Sequence, residues 1–385
     1  MAALPFLDLG PDPEEAGRTQ GKALKTAIEE NLGTYLRRFA FGGSDRNTVL
    51  AEAERWETFI ATDNPRYHAE MAGIAQGAGL SVTELAMLNA RYEITYSLYS
   101  NEAQSLRGKD DFPAQEGCTL WALMPEATKN GACIIGQNWD WLAGLVGHVA
   151  IKRVRQQSRG RPDYIGFTEA GIVGCKMGVN SAGVGLCIAG LVSEREGGKH
   201  LRKPVHVRCA EILDAPRFSE AIRPVIQTNR FCSSNFMLGH GEGEVINIEA
   251  TQEFCAYLYP ENGIVTHANH LEAEQRVSSE FERLTPSSLF RAQRVRRHFN
   301  AAHGNIGIEK IHEVMSDQFS SPSAVCMLAD PDLPEATRNT TVASVALDLT
   351  NGILWATNGP PSHAAFERFS LYAEATPAQM MKAET

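Results

Sequence analysis

An apolar run begins directly after a glycine-cysteine pair and reads Gly117-Cys118-Thr119-Leu120-Trp121-Ala122-Leu123-Met124. A second apolar run occupies residues 132–135, and Asn130-Gly131 lies between the two. Asn-Gly between apolar runs is the strongest local signal for a β-hairpin, because the turn needs positive φ at both central residues. The sequence therefore predicts a hairpin whose first strand starts next to Cys118.

The same pattern recurs through the rest of the chain. Two more Asn-Gly pairs and two other glycine-containing turns predict four further hairpins, around residues 180–183, 239–243, 262–263 and 351–352. Helices are predicted near residues 205–228 and 286–316. Antiparallel hairpins interrupted by helices indicate an α+β fold in which helices cover the sheets.

The first third of the chain is predicted to be helical. Apolar residues recur there at spacings of four and three, at Leu24, Ile28, Leu32, Leu36 and Phe39, which places them on one helix face. The polar stretch 101–115 is predicted to be an exposed loop. The change of period near Gly117 divides the chain into a helical segment, residues 1–117, and a sheet-containing segment, residues 118–385.

Composition excludes several classes of protein. The 385 residues are 43% hydrophobic and carry a net charge of −10 without a run of Lys and Arg, so neither a disordered chain nor a nucleic-acid partner is expected. No apolar stretch is long enough to span a membrane, and no secretory signal is visible. The eight cysteines form no Cys-x-x-Cys pair, which favours reduced thiols and a cytoplasmic location.

Several residues that can carry chemistry stand at the ends of predicted strands. Most cysteines are small buried hydrophobic residues, but Cys118 follows a glycine, which permits backbone conformations that other residues resist. Asp140 ends the second strand of the same hairpin and returns towards Cys118, although alone it would be interpreted as a turn carboxylate. His267 and His270 lack a second ligand cluster, so no metal is predicted. Alternation along the strand puts His267 and Asn269 on one face.

Five motifs occur in order along the chain, namely Gly117-Cys118-Thr119, Gln137-Asn138-Trp139-Asp140, Glu169-Ala170-Gly171, residues 178–184 and His267-Ala268-Asn269-His270. Together they resemble the acyl-coenzyme A:6-aminopenicillanic acid acyltransferase (isopenicillin N acyltransferase) family. This family consists of N-terminal-nucleophile (Ntn) hydrolases with a cysteine nucleophile. The resemblance covers roughly residues 117–360, and it implies a four-layer αββα sandwich of antiparallel sheets with a helical N-terminal segment.

The resemblance also implies that the chain cleaves itself between Gly117 and Cys118. The small chain, residues 1–117, and the large catalytic chain, residues 118–385, would then stay associated. Cleavage frees an α-amino group with a pKa of about 7.7–8.0, which can act as a base near neutral pH, whereas an amide cannot. By the same resemblance, Asp140 orients this amine and Asn269 donates to the oxyanion.

Three further residues are assigned to substrate binding by the resemblance: Ser233, Thr337 and Arg338. Thr337 stands where the penicillin enzyme carries a serine, and Leu120 stands where it carries a threonine. The loop between Cys118 and Asp140 is also a few residues longer. These departures leave the catalytic residues in place and do not require a β-lactam substrate.

The expected function is an autoprocessed cysteine amidohydrolase or acyltransferase that cleaves a small N-acyl amide or thioester through a Cys118 acyl-enzyme, without cofactor or metal. Whether water or an amine accepts the acyl group stays open. Three alternatives remain: an acyl-coenzyme A-dependent N-acyltransferase of the penicillin-biosynthesis type, a single-chain Cys-His thiol hydrolase, and a non-catalytic Ntn-like scaffold used for binding.

Overall fold

The computed structural model describes residues 3–105, 117–198 and 200–372. Helices of the first third are α1 (Pro13–Ala23), α2 (Lys25–Phe41), α3 (Arg46–Asp63), α4 (Pro65–Ala78), α5 (Val82–Asn89) and α6 (Arg91–Ser105). Those further along are α7 (Val205–Leu213), α8 (Phe218–Ile226), α9 (Phe281–Leu284), α10 (Ser288–Ala301) and α11 (Ile308–Met315). Because α6 continues to Ser105, the predicted loop is wrong for residues 101–105, and residues 106–115 lie outside the described residues.

The strands form two sheets. The large sheet has the order β1-β4-β5-β6-β7-β8-β9-β10, with strands β1 (Phe6–Leu9), β4 (Val149–Val154), β5 (Tyr164–Glu169), β6 (Met177–Asn180), β7 (Val184–Gly190), β8 (Ser234–His240), β9 (Glu244–Ala250) and β10 (Cys255–Leu258). The small sheet has the order β11-β2-β3-β12-β13-β14, with strands β2 (Thr119–Leu123), β3 (Ile134–Leu142), β11 (Ile264–His267), β12 (Asn339–Asp348), β13 (Ile353–Ala356) and β14 (Glu367–Ser370). All pairings are antiparallel except that of β1 with β4.

The two sheets face each other, α7 and α8 cover the large sheet, and α10 covers the small one. Strand β2 explains this layering, because both of its faces are buried. Leu120 and Ala122 belong to the apolar core between the sheets, whereas Trp121 and Leu123 pack in a second core with residues of α10 and α11. The α+β prediction and the four-layer αββα arrangement are confirmed.

Most of the predicted hairpins form. Asn130-Gly131 lies between β2 and β3, Asn351-Gly352 between β12 and β13, and the two glycine-containing turns join β6 to β7 and β8 to β9. The prediction of a hairpin at Asn262-Gly263 is wrong. Both residues have positive φ, as the turn requires, but β10 pairs within the large sheet and β11 within the small one. The local turn is therefore correct, and tertiary packing separates its two strands.

The regular secondary structure described in the first third is helical apart from β1, which extends the large sheet. Helices α1 and α4 pack at unusually close range. A Cβ added to Gly17 or Gly73 would lie 2.1 or 2.2 Å from a carbonyl oxygen of the other helix, and Gly21 and Gly77 are equally tight, with 2.3 Å each. Only glycine permits this approach of two backbones.

Candidate active site

Cys118 immediately precedes β2, in the core between the two sheets, and is 1% exposed. Thr119 pairs with Asn138 of β3, so one further step of the register brings Cys118 beside Trp139. All eight cysteines lie within the described residues, and none of them forms a disulfide. Cys118 is therefore a buried thiol at the open end of the β2–β3 hairpin.

A buried arginine on α10 joins the predicted site residues. One terminal nitrogen of Arg291, Nη1, donates to the carbonyl oxygen of Cys118 and to Thr119 Oγ1, the latter at 2.8 Å. The other, Nη2, donates to Asn269 Oδ1 at 2.7 Å, and Nε donates to Ser287 Oγ at 3.2 Å. The guanidinium thus fixes the start of β2 relative to the loop after β11.

Sequence reasoning missed Arg291, which is one of several arginines in the predicted helix 286–316. One signal could have found it. Arg291 precedes Val295 and Phe299 at spacings of four, so it falls on the apolar stripe of α10, and all three residues are buried. A charge on the buried face of a helix requires partners, and these are the groups around Cys118.

Asp140, on β3, is close enough to Arg291 for the two charges to influence each other. Its Oδ1 accepts a hydrogen bond from Thr341 Oγ1 at 2.5 Å, whereas Oδ2 is buried and has no hydrogen-bond partner among the described residues. Burial raises the pKa of Asp140 to about 7, against the opposing influence of Arg291 and Thr341. This carboxyl group can therefore change its protonation state near neutral pH.

Asn269 follows β11 and is held through its backbone N–H and through both polar atoms of its side chain. Its backbone N–H donates to Ser288 Oγ, and its Nδ2 donates to the carbonyl oxygen of Gly190, both at 2.9 Å. Two residues earlier, His267 Nε2 lies 2.8 Å from Glu249 Oε1. Burial alone would lower the pKa of His267, but the Glu249 carboxylate raises it above the ordinary value. The loop is anchored and its side-chain amide cannot rotate freely.

A cavity of about 50 Å³ adjoins the centre at Gly190. One part of its lining is aromatic and consists of Tyr35, Phe39, Tyr92, Tyr96, Trp141 and Phe281. Ser233 also lines the cavity. Thr337 and Arg338 lie on the loop before β12 instead, where the Arg338 guanidinium donates to the carbonyl oxygens of Pro331 and Leu333. Of the three residues assigned to substrate binding, the structure brings only Ser233 to the wall of this cavity.

Ionic groups are buried behind the aromatic wall. Glu169 accepts hydrogen bonds from Arg91, from Tyr35 Oη at 2.6 Å and from Lys176 Nζ at 2.6 Å. Burial alone would raise the pKa of Glu169, but Arg91 and Lys176 lower it to about 2. The Lys176 ammonium lies over the ring of Trp139, the residue beside Cys118. This cluster fixes both the cavity wall and the strand next to the thiol.

The part of the chain that the structure describes contains no group of three His, Cys, Asp or Glu side chains arranged to hold a metal ion. Within the same residues, no helix has the length and apolarity needed to cross a bilayer.

Two antiparallel sheets between helical layers, with a cysteine at the start of a central strand, define the Ntn-hydrolase class of fold. Residues 127–362 match the family described as acyl-coenzyme A:6-aminopenicillanic acid acyl-transferase, and the chain belongs to this family. Membership identifies it as an enzyme of the acyltransferase and amidohydrolase type.

Similar proteins include the 40 kDa form of acyl-coenzyme A:6-aminopenicillanic-acid-acyltransferase from Emericella nidulans, which is 28% identical over 321 residues, or 82% of each chain. Among solved structures, a variant of conjugated bile acid hydrolase from Clostridium perfringens matches with a TM-score of 0.47 and 14% identity, over 66% of this chain and 92% of that chain. An N-acylethanolamine-hydrolyzing acid amidase ortholog from Caenorhabditis elegans matches with a TM-score of 0.43 and 13% identity, over 60% and 93%.

Proposed function

We propose that the chain cleaves its own backbone between Gly117 and Cys118, and that Cys118 is then the nucleophile of a cysteine amidohydrolase or acyltransferase. The observation that carries this proposal is the convergence of Cys118, Asp140 and Asn269 around the buried Arg291. The β2–β3 hairpin, the loop after β11 and helix α10 deliver these residues to one point, and a merely structural cysteine would not need that arrangement.

The first reaction would be processing. The Cys118 sulfur attacks the Gly117 carbonyl, the peptide C–N bond breaks, and the acyl group moves from nitrogen to sulfur. Water then hydrolyses the thioester, which leaves a carboxylate on Gly117 and a free α-amine on Cys118. Gly117 leaves room beside this bond, because a Cβ there would lie 2.8 Å from Met327 Cε and 3.4 Å from Arg291 Nη2.

Turnover would use the same groups. The thiol of Cys118 attacks the carbonyl carbon of a small amide or thioester and gives its proton to the free α-amine, which Asp140 orients. Asn269 Nδ2 has two N–H groups, of which one bonds Gly190, and the other would donate to the oxyanion. The leaving group takes the proton, and water or an amine then receives the acyl group from sulfur. Ser233, Thr337 and Arg338 remain proposed substrate contacts.

Hydrolysis of a small N-acyl amide is the reaction we favour. Acyl transfer from an acyl-coenzyme A to 6-aminopenicillanic acid is the second candidate, and the 28% identity to an acyltransferase of that name favours it. A Cys-His thiol hydrolase fits the contacts less well, because His267 uses one ring nitrogen on Glu249 and the other on the carbonyl oxygen of Ala268.

We also propose that the small and large chains stay together after cleavage. Residues of the first third make specific contacts with the rest of the fold, which support this. Tyr35 Oη donates to Glu169, and Asn31 Nδ2 donates to the carbonyl oxygens of His148 and Ala170 at 3.0 Å each. Strand β1 pairs with β4. Loss of the small chain would expose these groups.

The free thiols support a reducing compartment, and we propose that the enzyme acts in the cytoplasm. Seven of the eight cysteines are buried, one is half-buried, and none of them forms a disulfide. Disulfides would be expected to form more readily in an oxidising compartment.

Mass spectrometry of the Cys118→Ala variant tests the proposal. The parent should yield two fragments, the second beginning at Cys118, whereas the variant should remain one folded chain of 42.1 kDa. Cys133→Ala is the matched control, because Cys133 is a buried cysteine at the far end of the same hairpin. A fragment beginning at residue 118 from the Cys118→Ala variant would mean that another protease makes the cut. Processed parent is then assayed against acyl-amino acids, penicillins and acyl-coenzyme A esters.

A further inference from the structure

Thr341, on β12, lies directly opposite Asp140 of β3, and both side chains are fully buried. Side chains of directly opposed residues project from the same face of a sheet, which brings these two together. The register shifts by one residue immediately afterwards, between Thr341 and Ala343. Such β-bulges occur often next to active sites, where they redirect a side chain. The irregularity therefore falls at the residue that contacts the proposed orienting carboxyl.

The hydrogen bonds of Thr341 determine which way its hydroxyl group points. Its Oγ1 accepts a hydrogen bond from the backbone N–H of Met327 at 2.9 Å and lies 2.5 Å from Asp140 Oδ1. Because an N–H can only donate, the single proton of the hydroxyl group remains available for the carboxyl oxygen. Asp140 Oδ2 is buried and has no hydrogen-bond partner within the described part of the chain. One carboxyl oxygen is thus held, and the other can still accept a hydrogen bond.

Two other charged or titratable groups act on this contact. Arg291 of α10 and the thiol of Cys326, on the segment before β12, both interact electrostatically with Asp140. The Cys326 sulfur is also a neighbour of the Thr341 hydroxyl group. Burial raises the pKa of Cys326 above its ordinary value, so this sulfur is a neutral thiol near neutral pH. A carboxylate oxygen is a stronger acceptor than a thiol sulfur, so Asp140 takes the hydroxyl proton.

Met327 connects the same threonine to the proposed cleavage site. The backbone N–H of Thr341 donates to the carbonyl oxygen of Met327 at 2.9 Å, so Met327 is bonded to Thr341 through both of its backbone polar groups. A Cβ on Gly117 would lie 2.8 Å from Met327 Cε, which means that the Met327 side chain packs against this glycine. Thr341 therefore fixes Asp140 relative to a neighbour of the peptide bond that precedes Cys118.

We propose that Thr341 is a positioning residue whose hydroxyl group keeps Asp140 ionised and leaves its second oxygen, Oδ2, for the α-amine of Cys118. This inference rests on the proposed function, in which cleavage creates that amine. The Thr341 hydrogen bond and the Arg291 charge favour the carboxylate, against the burial that raises the pKa of Asp140 to about 7. Without the hydroxyl group, Asp140 would be mostly protonated at neutral pH, and a neutral acid would hold the amine less firmly.

The test is a titration of Asp140 by the magnetic resonance of its isotope-labelled carboxyl carbon, assigned with Asp140→Asn. All proteins are compared in the same processing state, which electrophoresis verifies. Thr341→Val keeps the shape of the side chain but removes the hydroxyl group, so we expect the pKa of Asp140 to rise by about one unit, a roughly tenfold shift towards the acid. Thr341→Ser retains the hydroxyl group and should titrate like the parent. Thr340→Val is the matched control and should also titrate like the parent, because the buried Thr340 hydroxyl group donates to the Met327 carbonyl oxygen at 3.1 Å.

A second measurement needs no substitution of Thr341 and decides the question even where Thr341→Val does not fold. In the parent, the methyl resonance of Thr341 should shift with the same midpoint as the Asp140 carboxyl carbon, and this shift should vanish in Asp140→Asn. If Asp140 has the parent midpoint in Thr341→Val, or if the Thr341 methyl resonance does not follow Asp140, Thr341 merely stabilises the fold. Either result would overturn the inference and leave the proposed function intact. Cleavage before residue 118 in Cys118→Ala would refute the proposed function instead.

Discussion

Replacing Gly73 with alanine should destabilise the whole fold, because this glycine lies where α1 and α4 touch. The new Cβ would lie 2.2 Å from the carbonyl oxygen of Glu14 and 3.0 Å from the backbone nitrogen of Arg18. Ordinary contact begins near 3.4 Å, so the helices must separate by about 1 Å in a close-packed region. Both obstacles are backbone atoms, which cannot turn aside as a side chain can.

The size of the change in the free energy of unfolding follows from two opposing effects. Alanine in a helix interior is favoured over glycine by about 0.5–1 kcal/mol. Overpacking a well-packed interface typically costs about 1–3 kcal/mol, and the displaced helices also lose contacts along their length. We therefore expect Gly73→Ala to lower the free energy of unfolding by about 1–3 kcal/mol net.

Gly33→Ala is the matched control, because it makes the same chemical change inside α2. Its new Cβ would meet only the tip of the Arg37 side chain, at 3.3 Å, and that tip can move. We expect this variant to gain about 0.5–1 kcal/mol from helix propensity. Urea unfolding measures the free energy of unfolding of both variants, which should fall for Gly73→Ala and rise for Gly33→Ala while the m-values stay unchanged. If Gly73→Ala is as stable as the parent, the close approach of α1 and α4 is wrong.

Further predictions concern the candidate site. Asn269→Ala, correctly processed and folded, should lower kcat by about 10²–10³-fold with little change in KM, because the proposed oxyanion exists only near the transition state. Parent-like turnover in steady-state kinetics would remove Asn269 from that role. Asp140→Asn should impair both processing and turnover, as followed by electrophoresis and initial rates. The same variant tests the pKa of about 7. A carboxyl whose pKa is raised on folding favours the folded state below its unfolded pKa of 3.8, and this contribution is lost as pH rises towards 7. The free energy of unfolding of Asp140→Asn should therefore vary less with pH across this window than that of the parent. An identical pH dependence would contradict the raised pKa.

Local patterns along the chain were sufficient for the α+β class of the fold, whereas the four-layer arrangement was implied by the family resemblance. Asn-Gly pairs and alternating apolar runs predicted the pairing of β2 with β3 and of β12 with β13 correctly. In both connections the glycine, Gly131 or Gly352, has the positive φ that glycine adopts without strain. Asn262-Gly263 shows the limit of such patterns. Its turn forms, yet the flanking strands enter different sheets, and that choice depends on partners distant in sequence. The strand β1 was missed for the same reason, since its partner β4 lies more than a hundred residues away.

Some residues of the candidate site could likewise be predicted from the sequence, and others could not. Cys118 and Asp140 could be brought together from the sequence because one hairpin carries both, and their neighbourhood follows from strand register. Arg291 could not, since its partners on β2 and in the loop after β11 are fixed only when α10 packs against the small sheet. Pattern reasoning also gave no indication that the Arg338 guanidinium would bond carbonyl oxygens of its own loop. Contacts between distant elements are what a single sequence conceals.

Strand β3 combines a structural cost with the proposed chemistry. It is buried on both faces, yet it carries Gln137, Asn138 and Asp140 where apolar residues would pack without loss. Within the described residues, one polar atom of each of these side chains lacks a hydrogen-bond partner. Burying polar groups unsatisfied destabilises a fold, so a sequence shaped by stability alone would remove them. Their concentration on the strand beside Cys118 is an argument for function there, because proteins break packing rules chiefly where chemistry requires it.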